Sequence, residues 1–253
     1  MKKSFIAIIA LLCSLATAAR ERVCFDSDWK FILGDSAQMA SVQYDDAHWR
    51  RLNVPHDWAI EGDFYAGNPS GAGGGALPGG IGWYRKHFTV SSGPTSPLSS
   101  RATSRDLIFL EFDGVYMNST VFVNGHKVGF RPYGYSSFEY DITPYVHEGE
   151  NVVAVRVDNS DQPNSRWYSG CGIYRHVWLT KTNPIHIKHW GVYIHDGKVE
   201  VDFENPTNQR VKVVNELLDA TGKVIARANN VSCLMFNVSW SKLRKWSIES
   251  PYI

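Results

Sequence analysis

The sequence predicts an all-β protein, an antiparallel β-sandwich followed by a second, shorter one. Three observations carry this. Short runs of alternating apolar residues recur along the whole chain, as half-buried strands require. Turn residues separate them, with Asn124-Gly125, Gly149-Glu150-Asn151 and Asp219-Ala220-Thr221-Gly222 the clearest. Nine Trp, twelve Tyr and twelve Phe among 253 residues suit strands, and hardly a stretch shows helical spacing.

The elements follow in order. Val23 to Gly34 reads as a first strand anchored by Phe25, Trp29 and Phe31. Asp45 to Trp49 reads as an irregular turn, and Arg51 to Pro55 as a strand that proline ends. Residues 66–82 are dense in glycine and read as a surface loop. A phosphate cradle would need a helix after it, but the alternating strand Trp83–Val90 follows, which argues against nucleotide binding. Ser91 to Arg105 is rich in Ser, Pro and Thr and predicts a disordered hairpin tip. Leu107–Phe112, Met117–Val123, Lys127–Phe130, Phe138–Ile142, a run from Val152 and Ile173–Leu179 are further strands, with a corner at Thr143–Val146. Asn183-Pro184 interrupts the pattern and marks a domain boundary, giving domains over 20–182 and 183–253. Beyond it, Ile185–Ile194, Lys198–Glu204, Arg210–Leu218 and Lys223–Ala228 read as strands.

Composition excludes several classes. A formal net charge of +1 without basic runs gives no electrostatic case for nucleic acid or an acidic membrane surface. Residues 1–19 have Lys2 and Lys3, an apolar core from Phe5 to Leu15, and the small residues Ala16-Thr17-Ala18, which together predict a cleaved export signal. The core is too short for a membrane span, and Leu12 before Cys13 is too bulky for a lipid-attachment site. The expected location is secreted or periplasmic. The mature chain would keep Cys24, Cys171 and Cys233, an odd number without zinc-type spacing, so neither a disulfide framework nor a metal is expected. His186 and His189 would point to opposite faces of a strand and read as solvated. Asn118-Ser119-Thr120, Asn230-Val231-Ser232 and Asn237-Val238-Ser239 have the glycan acceptor pattern.

The chemistry concentrates between Arg156 and Leu179. The loop holds Asp158, Asn159, Asp161, Gln162, Asn164, Arg166, Trp167 and Tyr168. Planar polar groups beside flat rings suit a sugar, whose hydroxyls take hydrogen bonds and whose C–H face lies on an aromatic ring. A solvated hairpin loop with a Trp covering the end of the sandwich fits the same composition.

Arg166-Trp167-Tyr168-Ser169-Gly170-Cys171-Gly172-Ile173-Tyr174-Arg175 resembles the RWYSGxGIYR signature of family 2 glycoside hydrolases, the β-galactosidase and β-glucuronidase group. Val54-Pro55-His56-Asp57-Trp58-Ala59-Ile60-Glu61-Gly62-Asp63-Phe64 resembles that family's LPHDWxIEGDF, and Gly80–Lys86 its GxGWYRK. Phe112-Asp113-Gly114-Val115-Tyr116 and Val123-Asn124-Gly125 resemble two further elements, so five motifs stand in order between Val54 and Arg175. The resemblance implies a jelly roll followed by an immunoglobulin-like domain lacking its last strand, with Lys245–Tyr252 resembling an LWSPExPYLY element.

It also implies a secreted β-galactosidase-like hydrolase whose catalytic barrel is missing from this chain. The family's two catalytic Glu sit on a barrel of about 250 residues, so no catalytic residue, metal or cofactor is assigned here. Asn215-Glu216 mimics the family's acid/base dipeptide but lies in a strand pattern. By the same resemblance Asp158 accepts hydrogen bonds from sugar hydroxyls, while Arg166 and Trp167 reach toward the barrel mouth. His56 and Asp57 either brace the loops or touch sugar. Cys171 stands where Ser or Ala is commoner and reads as a small filler. The expected partners are a β-galactoside-like carbohydrate and the missing barrel of the same gene, with no nucleic acid and no membrane. A stand-alone carbohydrate-binding module is the alternative, as is an accessory domain without a ligand.

Overall fold

The computed structural model describes residues 20–90, 106–195, 198–230 and 236–237. The proposed signal over 1–19, the 91–105 tip, Cys233, the Lys245–Tyr252 motif and parts of two glycan patterns fall outside these. Among the described residues there are strands and four short 3-10 turns, and every strand pairing is antiparallel.

The chain divides into two compact units, one ending at Thr182 and the next beginning at Asn183. The first holds β1 (Arg20–Cys24), β2 (Trp29–Leu33), β3 (Arg50–Leu52), β4 (Gly80–Val90), β5 (Leu107–Phe112), β6 (Ser119–Val123), β7 (His126–Arg131), β8 (Phe138–Asp141), β9 (Gly149–Asn159) and β10 (Val177–Thr182). One sheet has the order β1-β10-β5-β8 and the other β3-β2-β4-β9-β6-β7. They share one core, to which β9 contributes Val153, Val155 and Val157, β5 Leu110 and Phe112, and β10 Val177 and Leu179. Trp29 is wholly buried in this core, and burying such a side chain is worth about 1.5–3 kcal/mol.

Alternation sends Ala154, Arg156 and Asp158 to the other face of β9. The 35–49 segment covers part of that outer face, packing Met39 and Trp49 on Trp83 and Ala154. Arg85 is fully buried there, its Nε donating to Asp46 at 2.8 Å and its Nη1 to the carbonyls of Met39 and Ser41 at 2.6 and 2.9 Å. Lys30 and His87 reach the same carboxylate at 2.5 and 3.0 Å, so the buried charges are compensated.

Local geometry corrects several sequence boundaries. The run from Val23 to Gly34 is two strands in different sheets, broken at Asp28, whose φ is +57° and whose N–H donates to Asn53 Oδ1. The strand expected over Arg51–Pro55 ends at Leu52, because the backbone N–H of Val54 turns to the Asp26 carbonyl. The strand expected from Ile173 starts only at Val177, since Gly172 and Ile173 bond instead to Tyr116 and His56.

The second unit contains β11 (His186–His195), β12 (Lys198–Glu204), β13 (Val213–Leu218), β14 (Val224–Asn230) and β15 (Phe236–Asn237), paired as β11-β12-β15 and β13-β14. Glu216 lies opposite Arg227 on β14 and binds its guanidinium. His186 and His189 are half-buried rather than solvated.

Candidate functional site: the loop end of the first unit

Three segments converge beyond the ends of β4 and β9: residues 53–63, the glycine-rich 66–79 stretch, and the 160–176 loop. Asp57 ties the first to the third. Its Oδ1 accepts the N–H of Ala59 at 2.9 Å and of Cys171 at 2.8 Å, and Tyr168 donates its O–H to Oδ2. Burial raises the Asp57 carboxyl above its ordinary value, although these amides pull the other way. The backbone doubles the clasp, with His56 N–H donating to Ile173 at 2.8 Å and Trp58 N–H to Cys171 at 3.1 Å. Tyr116 and Gly172 exchange both backbone bonds from the far side, at 3.0 and 2.9 Å.

His56 continues the brace inward. Burial lowers its imidazole, which is therefore neutral near pH 7. Nε2 lies 2.7 Å from Arg50 Nη2, which is always a donor, so Nε2 accepts and Nδ1 carries the proton. That proton points to the hydroxyl of fully buried Tyr84 at 2.7 Å. Arg50 also binds Glu61 at 2.9 Å, which holds the Glu61 carboxyl below its usual value.

Trp58 joins the glycine-rich stretch to the core. Its ring stacks on Phe31 at 5.6 Å, and its Nε1 donates to the Gly79 carbonyl at 3.2 Å. A Cβ on Gly79 would stand 2.6 Å from the Asn159 carbonyl, so only glycine lets this stretch lie so close to the end of β9.

Asp158 and Asn159, adjacent in sequence, serve opposite faces. Asn159 is buried on the inner side, where Nδ2 donates to the Gly170 carbonyl at 3.1 Å and to Cys171 Sγ at 3.0 Å. Its Oδ1 accepts from Asn164 at 2.7 Å. Burial pushes the Cys171 thiol up to about 12, so it is a neutral, packed group. Asp158 is half-buried on the outer face. Ser160 donates from N at 3.1 Å and Oγ at 2.6 Å, and Arg156 from Nη2 at 3.0 Å. Burial alone would raise this carboxyl, but those bonds outweigh it and hold it below its usual range, so it is ionised. Arg156 is itself anchored to Asp35 at 2.8 and 2.9 Å.

Arg166 is exposed, and its backbone lies against Gly73. Trp167 is 62% exposed, and its Nε1 donates to Tyr135 Oη at 3.2 Å. Tyr116, Tyr133 and Tyr135 belong to this end of the molecule too; sequence reasoning named Asn159 and Asn164 within the sugar-suited loop and Tyr116 within a motif, but gave Tyr133 and Tyr135 no role. The two tyrosines follow β7, 32 residues before Trp167 in the Tyr135 case, and no local pattern announces that meeting.

The structure thus brings His56, Asp57, Tyr168 and Cys171 into one braced network and leaves Trp167 and Arg166 open to solvent. It sets Asp158 on the other face of the β9 end. The Asn118 glycan pattern is engaged within the protein, since Asn118 Nδ2 donates to the Asp158 carbonyl at 3.2 Å and Ser119 is fully buried.

Residues 77–183 match the sugar binding domain of the family 2 glycosyl hydrolases. The chain is similar to beta-galactosidase BoGH2A of Bacteroides ovatus, with 48% identity over 95% of this chain and 30% of that enzyme. It is 42% identical to a putative beta-glucuronidase of Formosa agariphila, over 96% of this chain and 24% of that protein. Among solved structures, a beta-glycosidase from Bacteroides vulgatus aligns with a TM-score of 0.75 at 38% identity, covering 85% of this chain and 28% of that one. The chain therefore spans less than a third of the length of these relatives.

Proposed function

The chain carries the sugar-binding domain of glycoside hydrolase family 2, and on that premise we propose that it is the N-terminal portion of a secreted, β-galactosidase-like hydrolase. In this reading the first unit is a jelly roll and the second an immunoglobulin-like sandwich, and bond cleavage belongs to a barrel encoded with them. The first unit supplies one wall of the sugar pocket.

The observation that carries the reading is the loop end itself. An ionised Asp158 and the solvent-open Arg166 and Trp167 stand at the end of β9, within the matched residues 77–183. Asp158 accepts from sugar hydroxyls, exchanging the Ser160 hydroxyl bond for a ligand one. Trp167 offers its face to the C–H side of the ring. His56 and Asp57 serve the pocket by holding the 168–173 backbone in place rather than by contacting the ligand. Cleavage in a retaining enzyme needs two carboxyls roughly 5–5.5 Å apart, one kept protonated. Asp158 is ionised and bonded to Arg156, so it is not suited to act as the acid, and Glu216 is tied to the Arg227 guanidinium on the neighbouring strand of the second unit. No metal or other cofactor takes part in the role assigned here.

Two measurements on the purified 253-residue chain test this. A chromogenic β-galactoside is expected to remain intact, and turnover at an ordinary enzymatic rate would overturn the division of labour. Calorimetric titration with galactose and with glucuronate is expected to give millimolar binding, about −4 kcal/mol, for one of them. Asp158→Ala and Trp167→Ala should each abolish that binding. If neither sugar binds the native chain, the pocket-wall reading fails.

A further inference from the structure

We propose that Tyr133, Tyr135 and Trp167 form an aromatic ridge that receives further sugar units, so that the site takes an oligosaccharide rather than a single sugar. This rests on the reading that the end of β9 holds a sugar, and it extends that site along the 132–137 loop.

All three rings are open to solvent, with 58, 42 and 62% exposure. They stand in a row. Tyr133 and Tyr135 are 5.7 Å apart at 64°, and Trp167 reaches Tyr135 through its indole N–H. Large rings seldom stay side by side in water without a use, because burying them is strongly favourable. Here the backbone holds them out. The Tyr174 hydroxyl donates to the Gly134 carbonyl at 2.8 Å, and Ser137 Oγ donates to the Asp113 carbonyl at 3.1 Å. Tyr116 supports Tyr135 from behind, edge-on at 5.2 Å.

The 132–137 loop is also tied to the end of β9 through the main chain. The Asp158 N–H donates to the Met117 carbonyl at 3.0 Å, and the Asn118 N–H donates to Pro132, the neighbour of Tyr133, at 3.2 Å. A sugar lying on Trp167 therefore meets Tyr135 next.

The chemistry selects a saccharide. Pro132-Tyr133-Gly134-Tyr135-Ser136-Ser137 carries no ionisable charge that would pair with a peptide or a nucleic acid. Both tyrosine rings end in a phenol hydroxyl, so flat faces alternate with polar tips as C–H faces and hydroxyls do on a pyranose, while the indole N–H is engaged with Tyr135. The two tyrosine rings meet edge to face at 64°, so together they form no single flat platform for one planar ligand.

The test is calorimetry on the full chain with galactose, glucuronate, β-1,4-galactotetraose and a glucuronate-terminated tetrasaccharide. One tetrasaccharide should bind at least about tenfold tighter than its own monosaccharide. Tyr133→Ala should erase that advantage and leave monosaccharide binding unchanged, whereas Tyr133→Phe should keep it. Asp158→Ala should weaken both. Saturation-transfer NMR on the native chain should show contact with protons of the second or third unit, a readout that needs no variant. Equal affinity for mono- and tetrasaccharide would overturn the ridge and leave the sugar site standing. Absence of binding by every sugar would overturn the sugar site and the ridge together.

Discussion

Asp57 shows how one side chain organises the loop end. Its carboxylate collects the N–H of Ala59, the N–H of Cys171 and the hydroxyl of Tyr168. Replacing it by Ala strands two backbone donors in a half-buried place, at about 1–3 kcal/mol for each donor left unsatisfied. Asp57→Asn keeps Oδ1 as acceptor and removes a charge that burial disfavours, so it should cost far less. Urea unfolding of the two variants measures the difference, and hydrogen exchange of the amides over 168–173 should speed up in the Ala variant alone. Cys171 gives a second residue-level expectation. Its thiol is buried and pushed up to about 12, whereas Cys24 is exposed. Iodoacetamide on the folded chain should alkylate Cys24 and spare Cys171, as peptide mass spectrometry reads out. Cys171→Ser preserves an acceptor for Asn159 and should shift stability by less than about 1 kcal/mol.

At the scale of elements, the signature loop keeps its path because two glycines turn it past Asp57 and Tyr84. Gly170 has φ +72° and Gly172 φ +120°, and a Cβ on Gly172 would meet the Tyr84 hydroxyl and stand 2.8 Å from the His56 carbonyl. Gly172→Ala combines a forbidden backbone region with a clash against main chain and should cost about 1–3 kcal/mol or more. A lowered urea midpoint at unchanged slope is the expected result. These elements were unequally legible in the sequence. The Asn124-Gly125 hairpin was plain, because both residues must take positive φ, and they do at +48° and +79°. Asp158 was named in the loop after the alternating run, with its role taken from the family resemblance. Asn159 was hidden by the same alternation. It shares the parity of Val153, Val155 and Val157, and a polar residue on that side has to be buried and bonded. That parity was the available signal. The break at Asp28 was not legible, since its cause is a contact with Asn53 across the fold. The same holds for Tyr135 and Trp167, which only the meeting of two loops that cross between the sheets brings together.

For the whole molecule, a net charge of +1 leaves little general repulsion, so the pH dependence of stability should come from individual groups rather than overall charge. Two sets act in opposite directions. Burial, and then Glu111 opposite on β5, raises the Glu139 carboxyl from 4.5 to about 7. A raised carboxyl binds its proton more tightly in the folded state, so folding loses stability as pH rises from about 4.5 to about 7. The full shift would correspond to about 3 kcal/mol, and partial exposure of Glu139 reduces this to about 1–2 kcal/mol. Asp46 works the other way. Although burial opposes it, its bonds to Lys30, Arg85 and His87 hold its carboxyl far below 3.8. It stabilises above the ordinary Asp value and loses that contribution as pH falls toward its folded one. His56, lowered by burial, adds to the acid limb, because the unfolded chain takes up its proton first below about 6.5. Unfolding curves from about pH 2 to 8 should therefore show Glu139→Gln flattening the decline between about pH 5 and 7 while the acid limb stays. Asp46→Asn should do the reverse, and also lower stability throughout by about 3–5 kcal/mol, because Arg85 then stays buried with its counter-charge gone. An unchanged neutral limb in Glu139→Gln would mean that this carboxyl is ionised in the folded protein, and that its neighbours compensate its burial.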